Sequence, residues 1–186
     1  MNQSVYQLNL SNMFNAVGID RGGEVTITEH THDFDPDFPK DHWVYASLLG
    51  FIKYQKKYGS ISSFASVGVG PGVETIGACE ILKPTRITVT DIHPKIPEIA
   101  MVNVKNNVDK DVEVSAFQGD LCRPFIQKNL KYDLIYANIP NIPSDELRLD
   151  AKDSASFYKK RDDINCPKFF DDYLLTLQYV FLKEAK

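Results

Sequence analysis

Three glycines at alternate positions, in the run Ser-Val-Gly-Val-Gly-Pro-Gly over residues 66–72, restrict the fold of this chain more than any other feature. The run follows a short apolar stretch and leads into a helical pattern. Glycine adopts positive φ angles at little cost and lets other groups approach the backbone closely. The run therefore predicts a sharp turn that connects a β-strand to an α-helix. An ordinary tight turn has the same local sequence, so the glycines alone do not specify a ligand.

Strand-like and helical patterns alternate along the chain on both sides of this turn. Strands are predicted over 64–69, 86–90, 112–117 and 132–137, and helices over 41–58, 72–82 and 96–106. The alternation predicts an α/β protein of Rossmann-like type, in which helices cover both faces of a doubly wound, mainly parallel sheet. In such a sheet, ligands bind at the carboxyl ends of the strands.

The flanking segments fit this pattern more loosely. Residues 1–40 are polar and mixed, and we expect them to form an N-terminal appendage or lid. Residues 41–186 are expected to form one domain, because a chain of this length buries one sizeable core. The polar stretch 144–167 is expected to form an irregular loop, and the apolar positions of 169–186 predict one helical stripe.

Acidic residues follow the second and third predicted strands. Asp91 ends the second strand, nineteen residues after Gly72, where a carboxylate can accept hydrogen bonds from both hydroxyls of a ribose. Asp120 follows Gly119 at the end of the third strand, where it could accept an adenine amino proton while the Leu121 N–H meets a ring nitrogen. Each acid alone could be a turn residue, but their positions together indicate a nucleotide-like ligand.

Composition argues against several kinds of partner. The formal net charge is −4 and the densest basic cluster, Lys53, Lys56 and Lys57, lies on a predicted helix, so nucleic acid is not favoured. No apolar run approaches the ~20 residues that cross a bilayer, and the three cysteines have neither disulfide nor metal-site spacing. A soluble, cytoplasmic protein is expected. His30 and His32 could seat a metal, but a polar surface or lid element is favoured, and no metal is predicted.

The glycine run, Asp91, the pair Gly119–Asp120 and the segment 137–140 together resemble the successive motifs of class I S-adenosylmethionine methyltransferases, over roughly residues 60–143. A nicotinamide site would instead have Gly-x-Gly-x-x-Gly, and here the third glycine comes one residue early. The resemblance implies S-adenosyl-L-methionine as cofactor, with the methionine part on the glycines, the ribose on Asp91 and adenine beside Asp120. The implied cofactor-binding residues are Ser66, Gly68, Val69, Gly70, Pro71, Gly72, Asp91, Ile92, His93, Asp120 and Leu121.

Ser66 departs from that family's pattern. Members usually carry an acidic residue two places before the first glycine, where it faces the ammonium group of the methionine. Here a water, a backbone carbonyl or an acid from another segment must serve that ammonium. Glu29, Asp33 and Glu74 are the candidates, and the sequence does not rank them.

The segment Asn138-Ile139-Pro140-Asn141 ends the fourth predicted strand and is the candidate catalytic segment. It resembles the Asn-Pro-Pro-aromatic motif of enzymes that methylate planar nitrogens, in which the Asn oxygen and the next backbone carbonyl accept protons from the target. Ile139 replaces a proline and Asn141 replaces the aromatic residue. Since stacking of a base on an aromatic ring contributes ~1–3 kcal/mol, a small molecule, or else a protein side chain, is favoured over a nucleobase. A rigid proline turn that only ends the strand is the alternative.

The resemblance implies a methyltransferase that acts on a nitrogen or oxygen of a small molecule. Two alternatives remain open: transfer or cyclisation of the aminocarboxypropyl arm of the same cofactor, and a non-catalytic binding or partner domain. Sheets of the family have seven strands, whereas four parallel strands are visible here, so we expect the domain to be truncated after the fourth strand and the following helix. The oligomeric state is left open.

Overall fold

A computed structural model describes residues 4–9, 11–19, 24–29, 42–145, 157–159 and 164–186. In chain order the elements are β1 (Ser4–Asn9), α1 (Ser11–Ala16), β2 (Glu24–Glu29), α2 (His42–Tyr58), β3 (Ser63–Val67), α3 (Val73–Leu82), β4 (Arg86–Asp91), α4 (Ile96–Asn107), β5 (Glu113–Gln118), α5 (Arg123–Gln127), β6 (Leu134–Ala137), β7 (Ile142–Ser144), β8 (Phe157–Lys159), α6 (Lys168–Asp172) and α7 (Thr176–Glu184). Within these ranges, no helix combines the length and apolar character that crossing a membrane requires.

The central sheet has four parallel strands in the order β5-β4-β3-β6. The strand order reverses between β3 and β6, because the chain leaves β3 toward β4 and β5 and returns to the other side of β3. A crevice for a ligand opens at such a point, outside the carboxyl ends of the strands. The predicted α/β class and the parallel sheet are confirmed.

Helices cover both faces of the sheet, because the residues of β3 are all buried but belong to two different core clusters. Phe64 belongs to a core cluster that also contains residues of α2, α3 and α4, whereas Ala65 and Val67 belong to a second cluster with residues of α5 and α7. Successive side chains of a strand point to opposite faces, so one strand contributes to two cores. The predicted doubly wound arrangement is therefore confirmed.

The N-terminal strands β1 and β2 pair antiparallel with each other and not with the central sheet. Phe14 and Ile27 are fully buried in the core cluster of α2, α3 and α4, and β2 contacts α4. Residues 30–41 lie outside the described part of the chain. The division into a lid over residues 1–40 and a domain over residues 41–186 stays a prediction.

The C-terminal segment contains two helices, so the expectation of a single helical stripe over 169–186 is wrong. Helix α6 ends at Asp172 and α7 begins at Thr176. Between them Leu174 has a φ of +57°, a left-handed conformation that interrupts an α-helix. The Thr176 hydroxyl donates to Asp171 Oδ1 at 2.9 Å across the break.

The stretch 144–167, expected to be an irregular loop, contains the last residue of β7 and all of β8 in its described residues. Strands β7 and β8 pair parallel, with Pro143 opposite Tyr158. The Tyr158 side chain is buried in the second core cluster beside Leu177. Residues 146–156 and 160–163 lie outside the described part of the chain.

Candidate functional site

The glycine run forms the turn at the carboxyl end of β3. Gly68, Gly70 and Gly72 have φ angles of +65°, +51° and +93°, which non-glycine residues adopt only with strain. The Val69 N–H donates to the Thr90 carbonyl at 3.1 Å and the Gly72 N–H donates to the Val69 carbonyl at 3.0 Å. These bonds fold the chain back over the end of β4 and begin α3.

The three glycines have different surroundings. A Cβ atom at Gly68 would overlap the carbonyl oxygen of Asn138, and a Cβ at Gly72 would lie 3.2 Å from Val104 Cγ2 on α4. A Cβ at Gly70 would have no described atom within 4 Å. Gly68 and Gly72 are therefore explained by packing inside the protein, whereas the backbone at Gly70 borders open space that a ligand can occupy.

Asp91 ends β4 and connects directly to this turn. Its Oδ2 accepts the Gly70 N–H at 3.2 Å and its Oδ1 accepts the His93 N–H at 3.0 Å. Burial, with only 7% of the residue exposed, raises the pKa of this carboxyl, while the N–H donors of His93, Gly70 and Ile92 act in the opposite direction. A carboxylate offers about four acceptor positions, so these N–H groups do not take all of them and the carboxylate can also accept from a hydroxyl donor.

The residues after β5 lie beside Asp91. The Gly119 N–H donates to the Asp91 carbonyl at 2.9 Å. Leu121 is buried and has a φ of +49°, and Asp120 lies 3.7 Å from Arg123 Nη1 as an ion pair. The structure thus brings Asp120 and Leu121 to the same edge of the sheet as the glycine turn, together with exposed Ile92 and half-buried His93.

The candidate catalytic segment reaches the same edge from β6. The Asn138 N–H donates to the Val67 carbonyl at 3.0 Å, and its exposed side chain donates from Nδ2 to Glu74 Oε1 at 2.9 Å. Ile139 packs against the second core cluster, Pro140 is half-buried and Asn141 is exposed. Segments that are distant in sequence therefore meet where the strand order reverses.

Ser66 lies inside β3, between Val89 of β4 and Tyr136 of β6, and is 1% exposed. Of the three acids considered for the methionine ammonium, Glu74 is the one whose side chain the structure describes near the turn. The structure does not describe the side chain of Glu29. Asp33, His30 and His32 lie outside the described residues. In the described ranges, no three His, Cys, Asp or Glu side chains cluster as metal ligands would.

Asn103 supports the glycine turn, and sequence reasoning did not single it out. This residue of α4 is fully buried, and its Nδ2 donates to the Pro71 carbonyl at 2.9 Å. A buried amide needs a hydrogen-bond partner, and here the partner is a backbone group of the turn. The sequence feature that could have identified Asn103 is its place on the same helical face as the core residues Ala100 and Val104.

Comparison with known proteins shows similarity to methyltransferases over part of the chain. The release factor glutamine methyltransferase of Dictyoglomus turgidum is 32% identical over 78 residues, and that of Bacillus anthracis is 31% identical over 84 residues. These matches cover 42% and 45% of this chain but 27% and 29% of the relatives, so the chain matches less than a third of either protein's length. No family model matches the chain.

Among solved structures, the chain is similar to a ribosomal protein L11 methylase from Lactobacillus delbrueckii subsp. bulgaricus. The TM-score is 0.40 at 21% sequence identity, over 60% of each chain.

The expectation of a small-molecule substrate is wrong. Both matched relatives are named for a glutamine of release factor, which is a protein, and not for a small molecule. The sequence argument disfavoured a nucleobase because Asn141 replaces the stacking ring, and a side-chain amide on a protein needs that ring as little as a small molecule does. It could not separate a free metabolite from an amide carried on a protein.

Proposed function

We propose that this chain contains the S-adenosylmethionine-binding and catalytic edge of a methyltransferase that modifies the side-chain amide nitrogen of a glutamine in a protein. One observation carries the proposal: the glycine turn, Asp91 and Asn138 lie together at the reversal point of the parallel sheet. The partial similarity to release factor glutamine methyltransferases supports the reaction type and the substrate class.

The residues at this edge fit S-adenosylmethionine. The open space at Gly70 lets a ligand reach the backbone, and the Asp91 carboxylate retains acceptor capacity for a ribose hydroxyl. In the proposal, Asp120 and Leu121 contact adenine, and the turn over 68–72 contacts the methionine part. When bound, the cofactor supplies an electrophilic methyl group on a sulfonium centre.

Asn138 and Ile139 provide the groups that would orient the substrate. The Asn138 side-chain oxygen and the Ile139 carbonyl accept the two protons of a primary amide and so hold its nitrogen in place. An amide nitrogen is a weak nucleophile, and alignment of the reacting atoms is a large part of the rate acceleration available to an enzyme. Hydrogen bonding from the Asn138 N–H to β3 ties this segment to the turn.

Cofactor binding is tested by calorimetry with S-adenosylhomocysteine on the wild type, Asp91→Ala and Asp111→Ala. Asp111 is exposed in the turn before β5 and serves as the matched control. We expect binding by the wild type and the control, and a loss of about 10-fold or more for Asp91→Ala, because hydrogen bonds to a charged group contribute about 1.5–3 kcal/mol. Absence of binding by the wild type contradicts the proposal.

Methyl transfer is tested by incubating the protein with S-adenosylmethionine and a release factor, followed by mass spectrometry of the peptides. We expect one methyl group on a glutamine side chain and S-adenosylhomocysteine as the co-product. Methylthioadenosine in its place would assign the chain to the alternative aminocarboxypropyl chemistry. If the protein binds the cofactor but methylates no protein, the alternative of a non-catalytic binding domain is supported instead.

A further inference from the structure

Glu74 and Asn138 contact each other across the candidate site, although they are 64 residues apart in sequence. Glu74 lies in the first turn of α3, directly after the glycine turn, and Asn138 follows β6. The Asn138 Nδ2 atom donates to Glu74 Oε1 at 2.9 Å. The contact therefore connects the predicted cofactor-binding turn to the predicted catalytic segment.

The chemistry of this pair determines which way the Asn138 amide faces. An ionised carboxylate only accepts hydrogen bonds, so it must face the NH₂ end of the amide and not the oxygen. The first turn of a helix also favours negative charge, because the helix dipole is positive at that end. With Nδ2 held by Glu74, Oδ1 is directed away from the carboxylate.

We propose that Glu74 is a positioning residue that keeps the Asn138 side-chain oxygen available to accept a proton from the target amide. The inference rests on the proposed function. It gives a role in that function to the hydrogen bond between Glu74 of α3 and Asn138 after β6. A flipped Asn138 would present NH₂ to the NH₂ of the substrate, two donors facing each other. Glu74 prevents that arrangement before the substrate binds.

A different role for Glu74 would be direct contact with the ammonium group of the methionine, since Ser66 is not acidic. The two roles predict different kinetics. A positioning residue acts on the orientation of the substrate nitrogen and so affects kcat, whereas an ammonium ligand affects the affinity for cofactor. Kinetics of the variant Glu74→Ala separate them, because this variant removes the acceptor altogether. The variant Glu74→Gln keeps the size and can present either an oxygen or an NH₂ group to Asn138, so it no longer selects one orientation of that amide.

The contact itself is tested by NMR of the Asn138 side-chain amide, assigned by its loss in Asn138→Ser. In Glu74→Gln we expect the Asn138 NH₂ resonances to shift and their exchange with water to accelerate. Glu80→Gln, which changes a half-buried carboxylate that pairs with Lys83 on the same helix, should leave them unchanged. Unchanged Asn138 resonances in Glu74→Gln would overturn the proposal, and this measurement needs no substrate.

The functional consequence is tested by steady-state kinetics on the protein substrate. We expect Glu74→Ala, which removes the acceptor of the Asn138 Nδ2 bond, to lower kcat by about 10- to 100-fold, the scale of a misplaced reacting group, with S-adenosylhomocysteine affinity within about 2-fold of the wild type. Weaker cofactor binding with an unchanged kcat would assign Glu74 to the ammonium instead, and unchanged values of both would remove it from the site. If the wild type binds no cofactor, the proposed function itself is refuted. The Glu74 variants test only the positioning role and not the proposed function.

Discussion

Gly68 and Gly70 have similar backbone angles, but only Gly70 borders open space. An alanine at Gly70 should cost about 1–2 kcal/mol for its left-handed conformation. Its methyl group would occupy the space proposed for the cofactor, so we expect S-adenosylhomocysteine affinity to fall at least about 10-fold. An alanine at Gly68 would in addition displace the Asn138 carbonyl, and we expect a total loss of about 2–5 kcal/mol.

Urea denaturation and calorimetry measure these two effects separately. Gly50→Ala is the matched control, because Gly50 is exposed on α2 and a Cβ there would contact no described atom. It should leave binding unchanged and stabilise the helix by about 0.5–1 kcal/mol. Wild-type affinity in a folded Gly70→Ala variant would contradict the placement of the cofactor.

The meeting of the strand-end residues at one edge of the sheet was predictable, because it depends on their position along the chain. A glycine turn after a strand and an acid at the end of the next strand must meet at one edge of a parallel sheet. The contacts of Asn138 with Glu74 and of Asn103 with Pro71 were not predictable in the same way. They depend on how helices pack against the sheet, which the local sequence pattern does not encode.

Helix α4 contacts the glycine turn through a hydrogen bond from Nδ2 of the buried Asn103 to the Pro71 carbonyl. Asn103→Ala leaves that carbonyl without its partner and opens a small cavity, so we expect a loss of about 1–3 kcal/mol in the free energy of unfolding. Because the turn is less restrained, S-adenosylhomocysteine affinity should fall as well.

Asn106→Ala is the control on the same helix, since Asn106 is exposed, and its effect on unfolding should stay within about 0.5 kcal/mol. Urea denaturation and calorimetry on both variants check this prediction. Equal stability of the two variants would show that the Pro71 contact contributes nothing to the fold.

Among the elements, the four central strands and helices α3 and α4 were predicted within one or two residues, because apolar periodicity marks buried strands and helix faces. The short helix α5 between β5 and β6 was not predicted. The break between α6 and α7 was missed. Leu174 adopts a left-handed conformation without being a glycine, and the apolar spacing continues across it. The bond from Thr176 to Asp171 supports the break, and it becomes visible only once the chain is folded.

At the scale of the whole molecule, a cofactor that binds only the folded state must raise the unfolding temperature. At a concentration of about 100 times Kd the gain is about 2.7 kcal/mol, which for a domain of this size corresponds to about 5–10 °C. We expect S-adenosylhomocysteine to produce this shift near pH 7.

This stabilisation should depend on pH through Asp91. Burial raises the pKa of its carboxyl, so in the free protein Asp91 contributes stability below its unfolded pKa and loses that contribution as the pH rises through the folded pKa. The ligand has the opposite preference, because ribose hydroxyls donate to the ionised carboxylate. The ligand-induced temperature shift should therefore shrink as the pH falls, and it should begin to shrink at a higher pH than it would for an aspartate with an ordinary pKa. Thermal scans with and without S-adenosylhomocysteine measure that difference, and in Asp91→Asn the shift should be small and independent of pH. If the wild type and Asp91→Asn show equal shifts at every pH, Asp91 does not hold the ribose.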